Sequence, residues 1–258
     1  MRKLFLTAHL PYPPFSGGRR REFELISRLS KRVKIDLCSV TKTWETDKRY
    51  VDVMRSYCSS VNLFKAVLSD LEEYESYSSQ MRKHLSYEAK SYIRHALAND
   101  DIDVVHVEGY YLMQLLPIKI LQPVLLVEHN IEYLLNLQRF MIATSLEERS
   151  RLWQEYVFTL KWERIFWKQA TSCVTLTPED KDTMKKLVSN IPIKMIPDGA
   201  DHLSKNNSSE TSKSELEKMV KFGENHRILL VGNFAYEPNI DAALYFSNYI
   251  FPLILQHI

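Results

Sequence analysis

Residues 3–29, KLFLTAHLPYPPFSGGRRREFELISRL, contain a short apolar run, a proline-rich loop, a pair of glycines and a helical pattern. This order, a short apolar or β-branched run followed by a helical stretch, repeats over the first two hundred residues. Strands that alternate with helices form βαβ units, in which helices cover both faces of a parallel sheet. The continuous apolar runs VLLV (124–127) and SCVTL (172–176) are typical of strands buried on both faces. We therefore predict an α/β fold with a parallel sheet flanked by helices.

The alternation predicts seven strands and several helices. The predicted strands are residues 3–8, 33–40, 61–64, 103–107, 124–128, 172–176 and 193–196, and the predicted helices include residues 20–31, 87–98, 146–168 and 179–187.

A change of composition divides the chain. Residues 204–215, SKNNSSETSKSE, are polar and lack large apolar side chains, so we predict a linker over residues 204–225 after a first domain of residues 1–203. Residues 226–258 predict one strand (227–232) and one helix, the opening βα unit of a second domain. One strand and one helix do not bury a core. We therefore expect this second domain to be incomplete here, or to be completed by a missing segment or a second subunit.

Composition excludes several classes of protein. A net charge of +2 and 45% hydrophobic residues, over 258 residues, are typical of a globular protein and exclude a strongly basic nucleic-acid binder. Three widely spaced cysteines, Cys38, Cys58 and Cys173, predict neither a disulfide framework nor a structural zinc site. The early prolines argue against a signal peptide, and no run of about 18 apolar residues predicts a membrane span. We expect a cytoplasmic protein.

The start of the first predicted helix is unusual. Three arginines, Arg19, Arg20 and Arg21, lie where the helix dipole disfavours cations. Gly17 and Gly18 have neither the dinucleotide nor the P-loop spacing, but a glycine-rich turn before a helix is a generic anion site. Residues 1–34 carry nine Lys and Arg against two Glu, a charge of +7, so an anionic ligand or a membrane surface is the expected partner. The alternative is a tight turn with three solvated arginines.

Polar residues also follow the fifth predicted strand. His129 and Asn130 come after the fifth strand, between Glu128 and Glu132. Ligands bind beyond the carboxyl ends of the strands in open parallel sheets, and a histidine there can donate a hydrogen bond or transfer a proton. Two alternatives stay open. His129 is a packed structural histidine, or it belongs to a metal site of a metal-dependent hydrolase, whose other candidate ligands are His106, Glu108 and Glu132.

The predicted helix over residues 146–168 is rich in aromatic side chains. Their spacing is more typical of a helix that covers a core than of nucleic-acid binding. They are Trp153, Tyr156, Phe158, Trp162, Phe166 and Trp167.

Several segments together resemble the family 4 (group 1) glycosyltransferases. In chain order these segments are PYPPFSGGRRREFEL (11–25), DVVHVEGYYL (103–112), VEHNIEY (127–133), IPDGAD (196–201) and ILLVGNFAYEPNIDAALYFSNYIFP (228–252). The resemblance implies the GT-B fold, two Rossmann-like domains that face each other across a cleft. This chain matches the N-terminal, acceptor-side domain and only the start of the C-terminal, donor-binding domain.

The resemblance also implies an activity. Members transfer a sugar from a nucleotide-diphosphate sugar, with retention at the anomeric carbon, and usually need no metal or cofactor. It implies a catalytic role for His129 and donor binding by Gly17 and Gly18, with Arg19 and Asn233 as further donor candidates. Candidate acceptor or cleft residues are Tyr12, Glu108, Asn130 and Glu132, and the acceptor is a sugar, a lipid-linked sugar or another small molecule.

The sequence departs from the family pattern at three positions. Asn233 and Pro238 stand where many members have a phosphate-binding Arg and Lys, and Asp198 replaces the commoner Asn of IPDGAD. An alternative is a non-catalytic domain that binds a sugar or a partner within a glycosyltransferase complex; the expected incompleteness of the second domain favours it, whereas His129, Gly17 and Gly18 favour the enzyme. We expect residues 1–258 alone not to turn over a nucleotide sugar.

Overall fold

Seven parallel strands form one sheet in the order β3-β2-β1-β4-β5-β6-β7 in the computed structural model of the chain. The structure describes residues 1–67, 74–99, 101–199, 228–232, 234 and 237–256. The strands are β1 (Arg2–Thr7), β2 (Lys34–Thr41), β3 (Ser60–Lys65), β4 (Val104–Glu108), β5 (Val124–Glu128), β6 (Ser172–Thr175) and β7 (Ile193–Met195). The predicted parallel α/β sheet is therefore confirmed, with strand ends displaced by at most one residue.

The strand order makes the sheet doubly wound. From β1 the chain moves outward to β2 and β3, then returns to place β4 on the other side of β1. The strand order reverses between β1 and β4, and such a reversal opens a crevice beyond the carboxyl ends of the two strands.

Helices flank the sheet. They are α1 (Gly17–Leu29), α2 (Trp44–Asp47), α3 (Val51–Arg55), α4 (Ser79–Arg82), α5 (Tyr87–Asn99), α6 (Glu132–Ile142), α7 (Leu146–Gln169) and α8 (Pro178–Leu187), with 3-10 turns at Lys48–Tyr50 and Tyr110–Leu115. Helix α1 begins three residues earlier than predicted, because the Ser16 side chain caps it and both glycines belong to its first turn.

The core lies on both faces of the sheet. Leu4 and Leu6 of β1 pack in a large cluster with Val105 and Val107 of β4, where Trp167 of α7 is also buried. Phe5 belongs to a second cluster, with Ile26 of α1 among its members. Successive side chains of a strand point to opposite faces, so β1 is apolar throughout because both of its faces are covered. The prediction that the aromatic helix α7 covers a core is confirmed at Phe166 and Trp167.

The chain divides into two units, Met1–Gly199 and Ala200–Ile258. In the second unit the described helices are α9 (Glu237–Tyr245) and α10 (Phe251–Leu255), joined by a π-helical turn at Phe246–Ile250. The strand predicted over residues 227–232 is wrong for the described part, since residues 228–232 are exposed and form no strand. A strand needs a neighbour to satisfy its backbone groups. The linker predicted at 204–225 and Asn233 lie outside the described residues.

Membrane-spanning helices are absent from the described ranges, since no helix there is long and apolar enough to cross a bilayer.

Candidate functional site

A histidine and a glutamate meet at the carboxyl edge of the sheet. Glu108 is the last residue of β4, and His129 directly follows β5. His129 Nε2 lies 2.7 Å from Glu108 Oε2, and His106 Nε2 lies 2.7 Å from the other carboxylate oxygen, Oε1. The Glu108 side chain is fully buried, whereas that of His129 is 25% exposed. Glu108 therefore holds the Nε2 edge of the His129 ring, while the ring remains partly exposed to solvent.

The pKa values in this cluster favour a charged pair. Burial alone would raise the pKa of Glu108, but hydrogen bonds from His106 and His129, with their charges, hold it well below its usual range. Burial alone would lower the pKa of His129, but the hydrogen bond and charge of Glu108, with the charge of Glu22, raise it. The contact with Glu108 thus favours the protonated, hydrogen-bond-donating form of His129.

His106 lies beneath this pair. Its ring stacks on Phe5 of β1, with ring centroids 4.0 Å apart and an interplanar angle of 15°. This stacking fixes the ring plane, and therefore the direction from which His106 donates to Glu108. The position of His129 thus depends on buried groups of both central strands.

Gly109 makes the turn that ends β4. Its φ is +93°, and an added Cβ would lie 2.7 Å from the ring of Tyr111. Glycine adopts this conformation without steric cost. The turn brings the Tyr110 amide to Glu128 Oε2 at 3.3 Å.

Two further residues of the cluster, Glu22 and His9, were not predicted. Glu22 lies on the buried side of α1, and ligand atoms of Glu22, Glu108 and His129 are within 4.8 Å of one another. His9 Nε2 lies 2.8 Å from Glu22 Oε2, but the two atoms are not aligned for a hydrogen bond, and both are buried. A sequence signal did exist, since Arg19, Glu22 and Ile26 share one face of α1 at helical spacing.

The first turns of α1 thus lie close to His129. A Cβ at Gly17 would meet nothing within 4 Å, and one at Gly18 would approach only His9 Cε1, at 3.9 Å. Neither glycine has a positive φ, so the backbone geometry alone does not require glycine at either position. Neither adds a side chain to the N-terminus of α1, where the Ser16 hydroxyl accepts from the Arg19 N–H.

Two of the three arginines of α1 are bound by other residues of this chain. Arg19 is buried and bonds to Asp47 at 2.9 Å, to Thr43 at 3.2 Å and to the Leu10 carbonyl at 2.5 Å. Arg21 pairs with Asp198 at 2.6 Å, whereas Arg20 is exposed. The buried ion pair explains Arg19 without a donor phosphate, and its role in donor binding stays a prediction.

The remaining predicted residues are more dispersed. Asn130 is exposed and hydrogen-bonds to Glu132, whose pKa is raised by burial. Tyr12 packs against Phe23 and Tyr50 in the smaller core cluster. The structure does not bring together the four ligands predicted for a metal-dependent hydrolase. Among the described residues, the ligand atoms that converge belong to Glu22, Glu108 and His129, without His106 and Glu132.

Side chains of helix α7 form hydrogen bonds to residues next to the site. Trp167 Nε1 donates to Glu128 at 2.8 Å, and Glu163 accepts the backbone N–H groups of Glu132 (2.8 Å) and Tyr133 (3.1 Å) at the start of α6. Burial raises the pKa of Glu128 to about 8 and that of Glu163 well above its usual range.

A cavity of about 270 Å³ lies at the carboxyl edge. Its lining residues come from the ends of β1 and β2, from the region of α4 and from the turn after β4. They are Ala8, His9, Arg19, Lys42, Thr43, Gln80, His84 and Tyr111. A larger cavity of about 730 Å³ lies at the opposite, amino edge, near Met1, Lys34 and Asp103. We assign the smaller cavity to the site, because ligands of open parallel sheets bind at the carboxyl edge.

Comparisons with known proteins point to a fold. No family model and no curated protein matches the chain. A solved structure of sucrose-phosphate synthase from Thermosynechococcus elongatus matches with a TM-score of 0.51 and 10% sequence identity, over 78% of this chain and 49% of that chain. The fold is glycosyltransferase-like. A second structure with the same name and organism matches with a TM-score of 0.43 and 8% identity, over 78% of this chain and 91% of that one.

The chain spans about half the length of the first of these structures. At this sequence identity the likeness establishes the fold alone.

Proposed function

We propose that this chain is the acceptor-side part of a retaining, nucleotide-sugar-dependent glycosyltransferase of family 4, of the hexosyltransferase type. The observation that carries the proposal is the contact between buried Glu108 and partly exposed His129, at the point where the strand order of a glycosyltransferase-like sheet reverses. The same edge holds the glycine-containing N-terminus of α1 and a cavity. Three free, buried cysteines agree with a reducing, cytoplasmic setting.

His129 is the proposed catalytic residue. The hydrogen bond and charge of Glu108 raise the pKa of His129 and so favour the protonated imidazole. With Nε2 directed at Glu108, the Nδ1–H can donate a hydrogen bond to a hydroxyl of the transferred sugar or of the acceptor. Glu108 is a positioning residue, since it is fully buried and acts through His129. In this proposal the transfer itself uses no metal.

The N-terminus of α1 is the proposed site for the donor diphosphate. The first backbone N–H groups of a helix lack intrahelical partners and carry partial positive charge. Negative charge grows on the leaving diphosphate in the transition state, so donors fixed in advance lower the barrier. Gly17 and Gly18 keep side chains away from these groups, and Arg21 lies one turn further along the helix.

The acceptor is the proposed occupant of the 270 Å³ cavity. This cavity lies beside His9, which contacts Glu22 next to His129, so an acceptor held there would be near the proposed catalytic residue. Polar side chains in its lining, such as Thr43 and Gln80, suit a sugar or another hydroxyl-bearing molecule.

His129→Ala tests the enzymatic proposal. We expect turnover by the full-length gene product, assayed with a panel of nucleotide-diphosphate sugars, to fall by about 10²- to 10⁴-fold. The free energy of unfolding should fall by about 1–3 kcal/mol, because the buried Glu108 carboxylate loses one hydrogen bond but keeps the one from His106. The matched control is His95→Ala, an exposed histidine on α5, which should leave the rate unchanged. Activity of His129→Ala within a few-fold of wild type would refute the assignment.

The second candidate is a non-catalytic sugar- or partner-binding domain, favoured by Asn233 and Pro238 at positions where the family usually has cations. The coding sequence after codon 258 separates the two candidates. An in-frame continuation with a glutamate-rich donor-domain motif supports the enzyme, and a stop codon supports the binding domain.

A further inference from the structure

Two buried carboxylates face each other beside His129. Glu22 comes from α1 and Glu108 from the end of β4, and both residues are at most 2% exposed. Two neighbouring negative charges repel each other more strongly in the protein interior than in water, and each carboxylate also loses hydration on burial. Buried charges are normally paired or coordinate a metal.

Hydrogen bonds satisfy these carboxylates unequally. Glu108 accepts from His106 and His129. Glu22 Oε2 is buried without a hydrogen bond, and so is the nearby His9 Nε2, despite their separation of 2.8 Å. A buried acceptor left without a partner costs about 1–3 kcal/mol, and more if it is charged. Glu22 Oε2 therefore points to an additional group that would bind it.

We propose that Glu22, Glu108 and His129 bind one divalent transition-metal ion. Their ligand atoms lie within 4.8 Å of one another. Zinc holds nitrogen and oxygen ligands at about 2.0–2.2 Å in a tetrahedral arrangement, so the ligand atoms around one ion are about 3.4 Å apart. Binding would therefore need small side-chain rotations that move His129 and Glu108 slightly apart and bring the Glu22 carboxylate closer. This inference uses His129 and Glu108 of the proposed transferase site, but it does not rest on the transferase function.

The surroundings of Glu108 resemble those of a metal ligand. His106 holds Oε1 of Glu108 from within the core, which leaves Oε2 directed toward His129 and Glu22. Metal ligands are commonly oriented by such outer hydrogen bonds. The stacking of His106 on Phe5 fixes this support in place.

The donor set selects the class of ion. One imidazole and two carboxylates suit Zn²⁺ or Mn²⁺, whereas Mg²⁺ and Ca²⁺ prefer oxygen ligands alone. Zinc binds such mixed sites more tightly than Mn²⁺ by the general affinity order of divalent metals. The ion would replace the direct contact between His129 and Glu108, so metal-bound His129 would not be free to donate a hydrogen bond through Nε2.

Calorimetry with ZnCl₂ on the tag-free, EDTA-treated chain of residues 1–258 tests the site. We expect one Zn²⁺ per chain and far weaker binding of Mg²⁺. Glu22→Gln should weaken zinc binding by more than about 100-fold. His106→Gln, which changes the residue that orients Glu108, should weaken it by about 10- to 100-fold. Glu24→Gln, the same change on the same helix at a partly exposed position, should bind as wild type does.

Two results would overturn the site: no stoichiometric zinc binding by the wild-type chain, or equal affinity in Glu22→Gln and wild type. Circular dichroism checks that each variant is folded. If Glu22→Gln does not fold, His129→Gln replaces it, because that side chain is partly exposed and its loss removes a ligand from the same set. Undiminished binding by this variant would equally refute the proposal.

Discussion

Replacing Gly109 even by alanine, the smallest side chain, should destabilise the protein. The φ of +93° at Gly109 is unfavourable for any other residue, and an added Cβ would lie 2.7 Å from the Tyr111 ring. A strained backbone position costs about 1–3 kcal/mol, and the clash with Tyr111 adds to this. We expect Gly109→Ala to lower the free energy of unfolding by at least that amount, measured by urea denaturation.

The control is the same substitution at Gly17. This residue is in the first turn of α1, has no positive φ and has open space around it. Gly17→Ala should leave stability unchanged, or raise it slightly through reduced freedom of the unfolded chain. Equal losses in both variants would contradict the assigned role of Gly109.

Individual site residues differed in how far the sequence predicted them. His129 and Glu108 were recognisable, because polar residues at strand ends meet at one edge of a parallel sheet. Glu22 was not, because its neighbours Glu108 and His129 are about ninety residues or more away in sequence and only the packing of α1 brings them together. Its place on the buried face of an amphipathic helix was visible but indicated no partner.

At the scale of elements, Arg19 fixes α1 to the segment after β2. Its side chain is 6% exposed, and its guanidinium pairs with Asp47, whose side chain is fully buried. Removal of one member of a buried ion pair leaves the other charge unpaired, which costs about 3–5 kcal/mol. We expect Arg19→Ala to destabilise the protein by this amount in urea denaturation.

Arg20→Ala provides the comparison for this prediction. Arg20 is exposed on the same helix, and surface substitutions usually change stability by about 0.5 kcal/mol or less. A double variant, Arg19→Met with Asp47→Leu, should recover much of the loss because no buried charge remains. The prediction is wrong if Arg19→Ala is as stable as Arg20→Ala.

Helix α6 shows why one element was missed. Its N-cap residue, Ile131, supplies no side-chain hydrogen bond. The N–H groups of Glu132 and Tyr133 are instead bound by Glu163, about thirty residues later in α7. A cap supplied by another helix leaves no local sequence signal. Helix α8, with Thr177 as cap and Pro178 in its first turn, has the usual signals and was predicted to within one residue.

At the scale of the whole molecule, the hydropathy pattern predicted the parallel sheet because β1, β2, β4 and β5 are buried on both faces. The same pattern wrongly predicted a strand at residues 228–232, which also form a nearly continuous run of apolar residues. An apolar run forms a strand only beside another strand, and none lies beside this one among the described residues. A run of apolar residues therefore predicts a strand correctly only where neighbouring strands of the sheet are present.

Acid sensitivity of the whole molecule should depend on His84. This histidine is 2% exposed, donates through Nδ1 to the Gln80 carbonyl at 2.7 Å and stacks on Tyr111. Burial, with the charges of Lys42, His9 and Lys83, lowers its pKa to about 3. The unfolded chain gains a proton near pH 6.5 but the folded chain does not, so stability is retained above pH 6.5 and falls as the pH drops towards 3.

The loss from this one residue should approach 1.4 kcal/mol per pH unit, or about 2 kcal/mol between pH 6.5 and 5. His84→Asn keeps a donor near the Nδ1 position but does not titrate, so the loss measured by urea denaturation at these two pH values should be smaller by about that amount. His95→Asn replaces an exposed histidine and should leave the wild-type pH dependence intact. If His84→Asn and wild type lose the same stability, His84 takes up its proton in the folded protein, and its burial does not limit stability in acid.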